Sequence, residues 1–306
     1  MPAYGVMFHH FYNETHPKGQ GAISAQDLVE LLNHLGRQNI LPADEWMRRA
    51  LAGALRENDL CLTFDDALLC QFEIAFPVLG DMGLTAFWFV YSAVFEGIAA
   101  DIEVYRYFRT VSFSTVDEFY DSFMQYVAKM CPKAISELDG FDPDRYLAGY
   151  PFYTKGDRIF RYLRDDVLGD AGYNEVMQLM MSEKGFSRAA VARALWMDES
   201  HLGALKDAGH LIGLHSYSHP TRLASLSREA QRDQYQRNMD QLEKALGEKP
   251  TCMSHPSDSY SAETLRILQD LGVKLGFRAN MRQLPNPSPL EFPRQDHAMI
   301  MKEMRG

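Results

Sequence analysis

An α/β fold, with helices packed on a parallel sheet and a mainly helical insertion in the middle, is what this sequence predicts, and three observations carry the prediction. Short apolar runs alternate with amphipathic helical stretches through residues 1–90 and again through residues 198–306, the rhythm of βα units. Between residues 91 and 197 only helical patterns remain. Acidic and imidazole side chains cluster at the ends of several apolar runs, where α/β barrels gather their active sites from separate loops. A chain of 306 residues accommodates two domains or one large α/β barrel with insertions. The expected division is a first α/β part, 1–90, an insertion, 91–197, serving as a lid or oligomer contact, and a second α/β part, 198–306.

The elements follow in order. Tyr4-Gly5-Val6-Met7-Phe8 reads as a buried strand ending in His9-His10, with polar turn residues through Gly21. Ser24 opens a helix whose Leu28, Leu31, Leu32 and Leu35 recur at three and four residues, with Gly36 as its stop. Leu60-Cys61-Leu62-Thr63-Phe64 is a second strand, ending in Asp65-Asp66, and Phe76 to Gly83 reads as a helix end and turn before the strand Thr85 to Val90. In the insertion, Thr115 and Glu118 have capping-box spacing, and Val116, Phe119, Phe123, Val127 and Met130 mark one helical face. Further helices are expected over Asp157 to Asp166, Asn174 to Ser182 and Arg188 to Leu195. From Glu199 the chain reads as helix to Ala208, strand His210 to Leu214, helix Ser227 to Leu246, strand Cys252-Met253, helix Ala262 to Leu271 and strand Lys274 to Phe277. Leu284 to Pro293 is proline-rich and reads as extended, because each proline removes a helix donor.

Composition narrows the function classes. With 31 basic and 41 acidic residues the formal charge is −10, the wrong sign for a general nucleic-acid or anionic-membrane binder. The four cysteines, Cys61, Cys70, Cys131 and Cys252, form no CxxC pair, so neither a disulfide scaffold nor a thiolate zinc site is indicated and a cytoplasmic location is expected. No apolar run reaches the roughly 18 residues of a membrane span, and the first residues lack the features of a signal peptide.

The chemistry concentrates in two strand ends, Asp65-Asp66 and His215-Ser216-Tyr217-Ser218-His219. His215 and His219 lie four apart, a spacing that turns both imidazoles toward one point, and a carboxylate such as Asp66 completes a two-histidine, one-carboxylate site for a divalent metal. Each fragment alone has a bland reading, a solvated histidine pair or a turn of two aspartates. Tyr105, Tyr107, Phe108, Tyr120, Tyr126, Tyr150, Phe152 and Tyr153 are candidates for a sugar-binding wall or a dimer surface, with packing in the core favoured over both by their helical spacing.

Thr63-Phe64-Asp65-Asp66, followed about twenty residues later by Gly83-Leu84-Thr85-Ala86-Phe87-Trp88-Phe89-Val90, resembles the first motif and following strand of the NodB-type polysaccharide deacetylases, carbohydrate esterase family 4. Leu202 to His219, ending Gly209-His210-Leu211-Ile212-Gly213-Leu214-His215-Ser216-Tyr217-Ser218-His219, is similar to that family's second motif. The resemblance covers about the first ninety and last hundred residues. It implies a distorted, incomplete (β/α) barrel, Asp66, His215 and His219 as metal ligands, and Asp65 as general base. The family's third motif, of Arg-Pro-Pro-Tyr-Gly type, stands here as Met253-Ser254-His255-Pro256-Ser257-Asp258-Ser259-Tyr260 and lacks its arginine. Arg294, in Pro293-Arg294-Gln295-Asp296, resembles the Pro-Arg-x-Asp ending of related members and is the expected replacement, a fork that holds Asp65 ionised; its alternative is a surface ion pair. Three histidines compete for the general acid: His9, His10 and His297. His9 is preferred because Val6-Met7-Phe8-His9-His10-Phe11 resembles members whose acid histidine sits on the N-terminal strand; His297, near the chain end, reads as a surface residue. His10, His255 and Ser257 are the expected substrate contacts, the Ser257 amide in the family's oxyanion position.

The implied function is metal-dependent removal of an acyl group, acetyl foremost, from an N-acylated amino sugar that is nucleotide-linked, lipid-linked or part of an oligosaccharide. Zinc is the default metal, with cobalt, nickel, manganese or iron compatible with the same ligands. The competing readings are a carbohydrate-binding protein that has lost turnover and an interaction protein whose insertion binds a partner or a second copy.

Overall fold

The computed structural model describes residues 2–150 and 153–305, so Phe152 lies outside the described residues. Two compact units are present, Met1–Ala100 with Ala194–Gly306, and Asp101–Arg193.

Among the described residues the first unit is built on seven strands: β1 (Tyr4–Phe8), β2 (Leu60–Asp65), β3 (Phe87–Val90), β4 (Leu211–Leu214), β5 (Cys252–Ser254), β6 (Leu275–Phe277) and β7 (Arg294–Asp296). They lie in the order β6-β5-β4-β3-β2-β1-β7 and every pairing is parallel. The segment entering β7 reaches the far edge, Phe292 donating to the Gly276 carbonyl at 2.9 Å, while Pro293 accepts from the Gly5 amide at 3.0 Å. The sheet is therefore a nearly closed, distorted barrel, as expected. Parallel strands also place every C-terminal end on one rim.

Among the described residues seven α-helices belong to this unit: α1 (Ala25–Leu35), α2 (Ala43–Leu51) and α3 (Phe76–Met82), then, after the second unit, α10 (Glu199–Asp207), α11 (Arg228–Leu246), α12 (Ala262–Asp270) and α13 (His297–Arg305). The two-residue period of β2 sorts its side chains: Leu60, Leu62 and Phe64 join the core shared with α1, α3 and α10 to α12, while Cys61 joins Phe87, Phe89, Leu275 and Phe277 on the opposite face, inside the barrel. By the same alternation Thr63 and Asp65 point inward with Cys61. At the other end of the strands Trp46 of α2 fills the barrel interior, its ring centroid 5.2 Å from Phe277 and 4.9 Å from Phe292. Helix α2 escaped the sequence reading because a charged surface face dilutes its few apolar residues. The chain end also differs from expectation: the extended proline-rich segment leads into β7 and then α13, and His297 is buried at the start of that helix rather than exposed.

The second unit holds α4 (Asp101–Val111), α5 (Val116–Met130), α6 (Pro132–Ser136), α7 (Lys155–Tyr162), α8 (Gly169–Glu183) and most of α9 (Arg188–Leu195). Thr115 caps α5 by accepting from the Glu118 amide at 3.1 Å, but the Glu118 carboxylate turns back to Ser114 rather than to Thr115. The helix expected over Asp157 to Asp166 is α7 continued by a π-helical segment over Leu163–Leu168, which leads into α8, starting five residues before the expected Asn174. Phe119 and Phe123 each pack edge to face with Phe160, at 5.4 and 5.0 Å between ring centroids. Of the aromatic residues singled out above, Tyr105, Phe108 and Tyr120 are buried in this core, whereas Tyr150 is 45% exposed.

Candidate active site

The site is assembled from loops leaving the ends of β1, β2, β4, β5 and β6, with β7 reaching in from the side. At the end of β2 the inward alternation carries Asp65 into the barrel, where it is 2% exposed. Arg294 meets it there: Nη1 donates to Asp65 Oδ1 at 2.7 Å and Nη2 to Oδ2 at 2.8 Å, a two-pronged contact that fixes the carboxylate plane. Arg294 is 1% exposed, and its remaining donors reach the Arg278 carbonyl, Thr63 Oγ1 and Ser254 Oγ at 2.9, 3.2 and 2.5 Å. Its stem crosses β1 at Gly5, where an added Cβ would lie 3.1 Å from Arg294 Cγ. Burial raises the Asp65 carboxyl, but the charge and hydrogen bonds of Arg294 outweigh that and hold it below its ordinary value.

Asp66 turns the other way. Its φ of 79° breaks the strand and aims the carboxylate at the β4 loop. His215 Nε2 is 3.4 Å and His219 Nε2 3.5 Å from Asp66 Oδ1, and one ligand atom from each of the three residues lies within 4.8 Å of the others. His215 Nδ1 is 2.9 Å from the Ser254 carbonyl, a contact that places the proton on Nδ1 and leaves the Nε2 lone pair facing Asp66. The backbone here is strained: Asp66, Ala67, Ser216, His219, Ser257 and Asp258 all have φ between 49° and 79°. Each such non-glycine conformation costs on the order of 1–2 kcal/mol and persists only where surrounding contacts over-determine it.

Those contacts are on hand. Asn238 of α11, fully buried, accepts from the His215 amide at 3.0 Å and donates to the Val90 carbonyl at 3.0 Å and Ser92 Oγ at 2.9 Å, tying the ends of β3 and β4 together. Tyr217, between the two histidines, donates to Glu96 at 2.5 Å and lies under the Arg237 guanidinium, 3.6 Å from the ring centroid. Asn238 and Ser254 were not singled out from sequence. For Asn238 a signal exists: it shares the helical stripe of Tyr235, Met239 and Leu242, where an amide is conspicuous.

The three candidate acids separate clearly. His9, its side chain 27% exposed, has Nε2 3.8 Å from Asp65 Oδ2 and 3.9 Å from Asp66 Oδ2. His10 stacks alongside at 6.1 Å. His297 faces away from the carboxylates, its ring nitrogens 3.2 Å from the Met7 carbonyl and 3.0 Å from the Gly21 carbonyl. His255, expected at the substrate, is 1% exposed, with Nε2 on the Leu290 carbonyl at 2.9 Å and its ring 4.1 Å from Tyr260; burial pushes its pKa down to about 3. It is therefore a neutral packing residue, a correction to the sequence reading. Ser257 is exposed after β5 with φ 49°.

A divalent cation fits this donor set on two grounds. Asp66 Oδ1 is buried without a hydrogen-bond partner among the described residues, an arrangement that is costly unless a cation satisfies the oxygen. Two imidazoles and a carboxylate, one imidazole oriented through its far nitrogen, are also the ligands such an ion takes.

Comparison with known proteins agrees with this fold. The profile of the family described as polysaccharide deacetylase matches residues 173–276. The Streptococcus pyogenes deacetylase PplD, solved in complex with acetate, is similar at TM-score 0.58 and 16% identity over 97% of this chain and 92% of its own. IcaB from Ammonifex degensii matches at TM-score 0.55 and 16% identity, covering 96% of this chain and 90% of its own. A de-N-acetylase from Aggregatibacter actinomycetemcomitans matches at TM-score 0.56 and 11% identity, covering 96% and 94%. No curated protein matches the chain. Among the described residues no helix is long and apolar enough to cross a membrane.

Proposed function

From a chain that is a member of the polysaccharide deacetylase family, by its match over residues 173–276 and by its fold, we propose a metal-dependent hydrolase that removes the N-acyl group, acetyl foremost, from an amino sugar. The observation that carries this reading is the convergence of Asp66, His215 and His219 beside the buried Asp65–Arg294 pair. Asp66, His215 and His219 would hold the ion, zinc by default, which when bound supplies Lewis acidity toward a water and the acyl oxygen.

The protein's own groups then have distinct tasks. Asp65, kept ionised and aimed by Arg294, accepts the proton of the attacking water as its oxygen bonds to the acyl carbon. The backbone amide of Ser257 donates to the oxygen on which negative charge develops. His9, within 4 Å of both carboxylates, gives a proton to the sugar nitrogen as the C–N bond breaks, releasing free acid and amine. The substrate class is an N-acylated amino sugar, nucleotide-linked, lipid-linked or within an oligosaccharide.

Release of acetate and formate from nucleotide-linked N-acyl sugars and chitin-like oligomers, measured for metal-loaded protein and for Asp65→Asn, tests this. Asp65→Asn should retain the metal and lose about 10²–10⁴-fold in rate. Absence of acid release from every substrate, with metal bound, would reject the hydrolase in favour of a carbohydrate-binding protein.

A further inference from the structure

Resting on the function just proposed, we propose that Asp258 is a positioning residue: a carboxylate clasp that holds the Ser257 amide in the orientation the reaction uses. Two successive non-glycine residues after β5, Ser257 and Asp258, adopt left-handed backbone, with φ 49° and 56°. A run of two is rarer than a single such residue and needs outside restraint, because each side chain crowds its own carbonyl. Local turn bonds exist, Asp258 N to the His255 carbonyl at 3.2 Å and Ser259 N to the Pro256 carbonyl at 2.9 Å, but these recur in ordinary right-handed turns and do not select the left-handed form.

The selecting contacts come from the Asp258 side chain. Its Oδ1 accepts from the Ala279 amide at 2.8 Å and its Oδ2 from Asn280 Nδ2 at 2.5 Å, so both oxygens are anchored to the segment that follows β6. That segment is itself braced: Asn280 Oδ1 accepts from Arg278 Nη1 at 2.8 Å, the Asn280 carbonyl accepts from the Arg294 amide at 3.3 Å, and the Arg278 carbonyl accepts from Arg294 Nε at 2.9 Å. Residues 278–280 thus bracket two parts of the site at once. On one side they fix Arg294, and through it Asp65; on the other they fix Asp258, and through it Ser257. The base and the amide donor are set against one rigid reference, which explains why a strained turn persists at an exposed loop.

The test separates a left-handed clasp from a general loop support. Asp258→Ala removes both bonds; Asp258→Asn keeps one acceptor. Asp258→Ala should lower kcat for acetate release from N-acetylglucosamine tetramer about tenfold or more, with KM and bound metal little changed, and Asp258→Asn should lose less. Glycine occupies left-handed backbone freely, so the loss caused by Asp258→Ala should shrink when Ser257→Gly is already present, read as a double-mutant cycle. In parallel, amide hydrogen exchange over residues 255–260 should accelerate in Asp258→Ala and slow again in the double variant. Unchanged exchange in Asp258→Ala, unchanged kcat despite faster exchange, or no relief by Ser257→Gly would each overturn the clasp. A wild-type chain that releases no acetate while exchange behaves as described removes the hydrolase reading, and the clasp's part in turnover with it, but leaves the clasp as the device that holds the turn.

Discussion

Arg294 meets four elements of the site at once, and its geometry explains why a planar cation stands there. Its two terminal nitrogens match the two oxygens of Asp65 and also reach Thr63 and Ser254, while Nε donates to the Arg278 carbonyl. A lysine keeps the charge but brings a single ammonium with no fork. Arg294→Lys should therefore retain bound metal while acid release falls by about tenfold to a hundredfold, since Asp65 loses its fixed orientation. A variant with wild-type rate would show that the orientation of Asp65 is set elsewhere. The sequence pointed to this arginine through its neighbours, Pro293 and Asp296; that Ser254 accepts a hydrogen bond from it, and that Gly5 lets its stem cross β1, became visible only in three dimensions.

At the scale of the element, α11 does more than cover the sheet. Its buried stripe of Tyr235, Met239 and Leu242 is interrupted by Asn238, whose amide joins the ends of β3 and β4 beneath His215. Asn238→Ala leaves the His215 amide and the Val90 carbonyl without that partner, a cost of about 1–3 kcal/mol. The expected outcome is a lowered Tm together with metal Kd raised about tenfold or more, because the histidine backbone is no longer pinned. A Tm drop with unchanged metal affinity would reduce Asn238 to a packing role. The regular elements of the first unit were legible because β4, β6 and α12 combine strong periodicity with glycine or serine punctuation; α2 and α13 were not, because each buries only a short stripe amid charged residues.

For the molecule as a whole, three buried histidines work against stability in acid, while His215, raised because Asp65 and Asp66 outweigh its burial, works the other way. His210 accepts through Nδ1 from the Ala86 amide at 3.0 Å and from Trp88 Nε1 at 3.1 Å, and burial pushes its pKa down to about 4; His255 is lowered to about 3 and His297 is lowered as well, each mainly by burial. All three are depressed relative to the unfolded chain, where a histidine titrates near about 6.5. Between those values the unfolded state binds more protons, so stability is present above about pH 6.5 and is lost as pH falls toward about 4. The urea midpoint of the metal-free chain should drop across that window, and drop less in His210→Gln. An equal drop in both chains would assign the acid sensitivity to other groups.

By itself the sequence determined the α/β rhythm, the helical nature of the middle, and the strand ends at which carboxylates and imidazoles gather, since periodicity and motif spacing are local properties of a chain. Only the tertiary structure decided which distant residues meet. Arg294 lies 229 positions from Asp65, His297 turns from a chain-end residue into a buried one, and His255 leaves the substrate side for the Leu290 carbonyl. Those outcomes depend on how a seven-stranded parallel sheet curls until the segment entering β7 touches β6, and on left-handed turns that no local pattern announces. The energy that sustains them comes from contacts across the whole barrel.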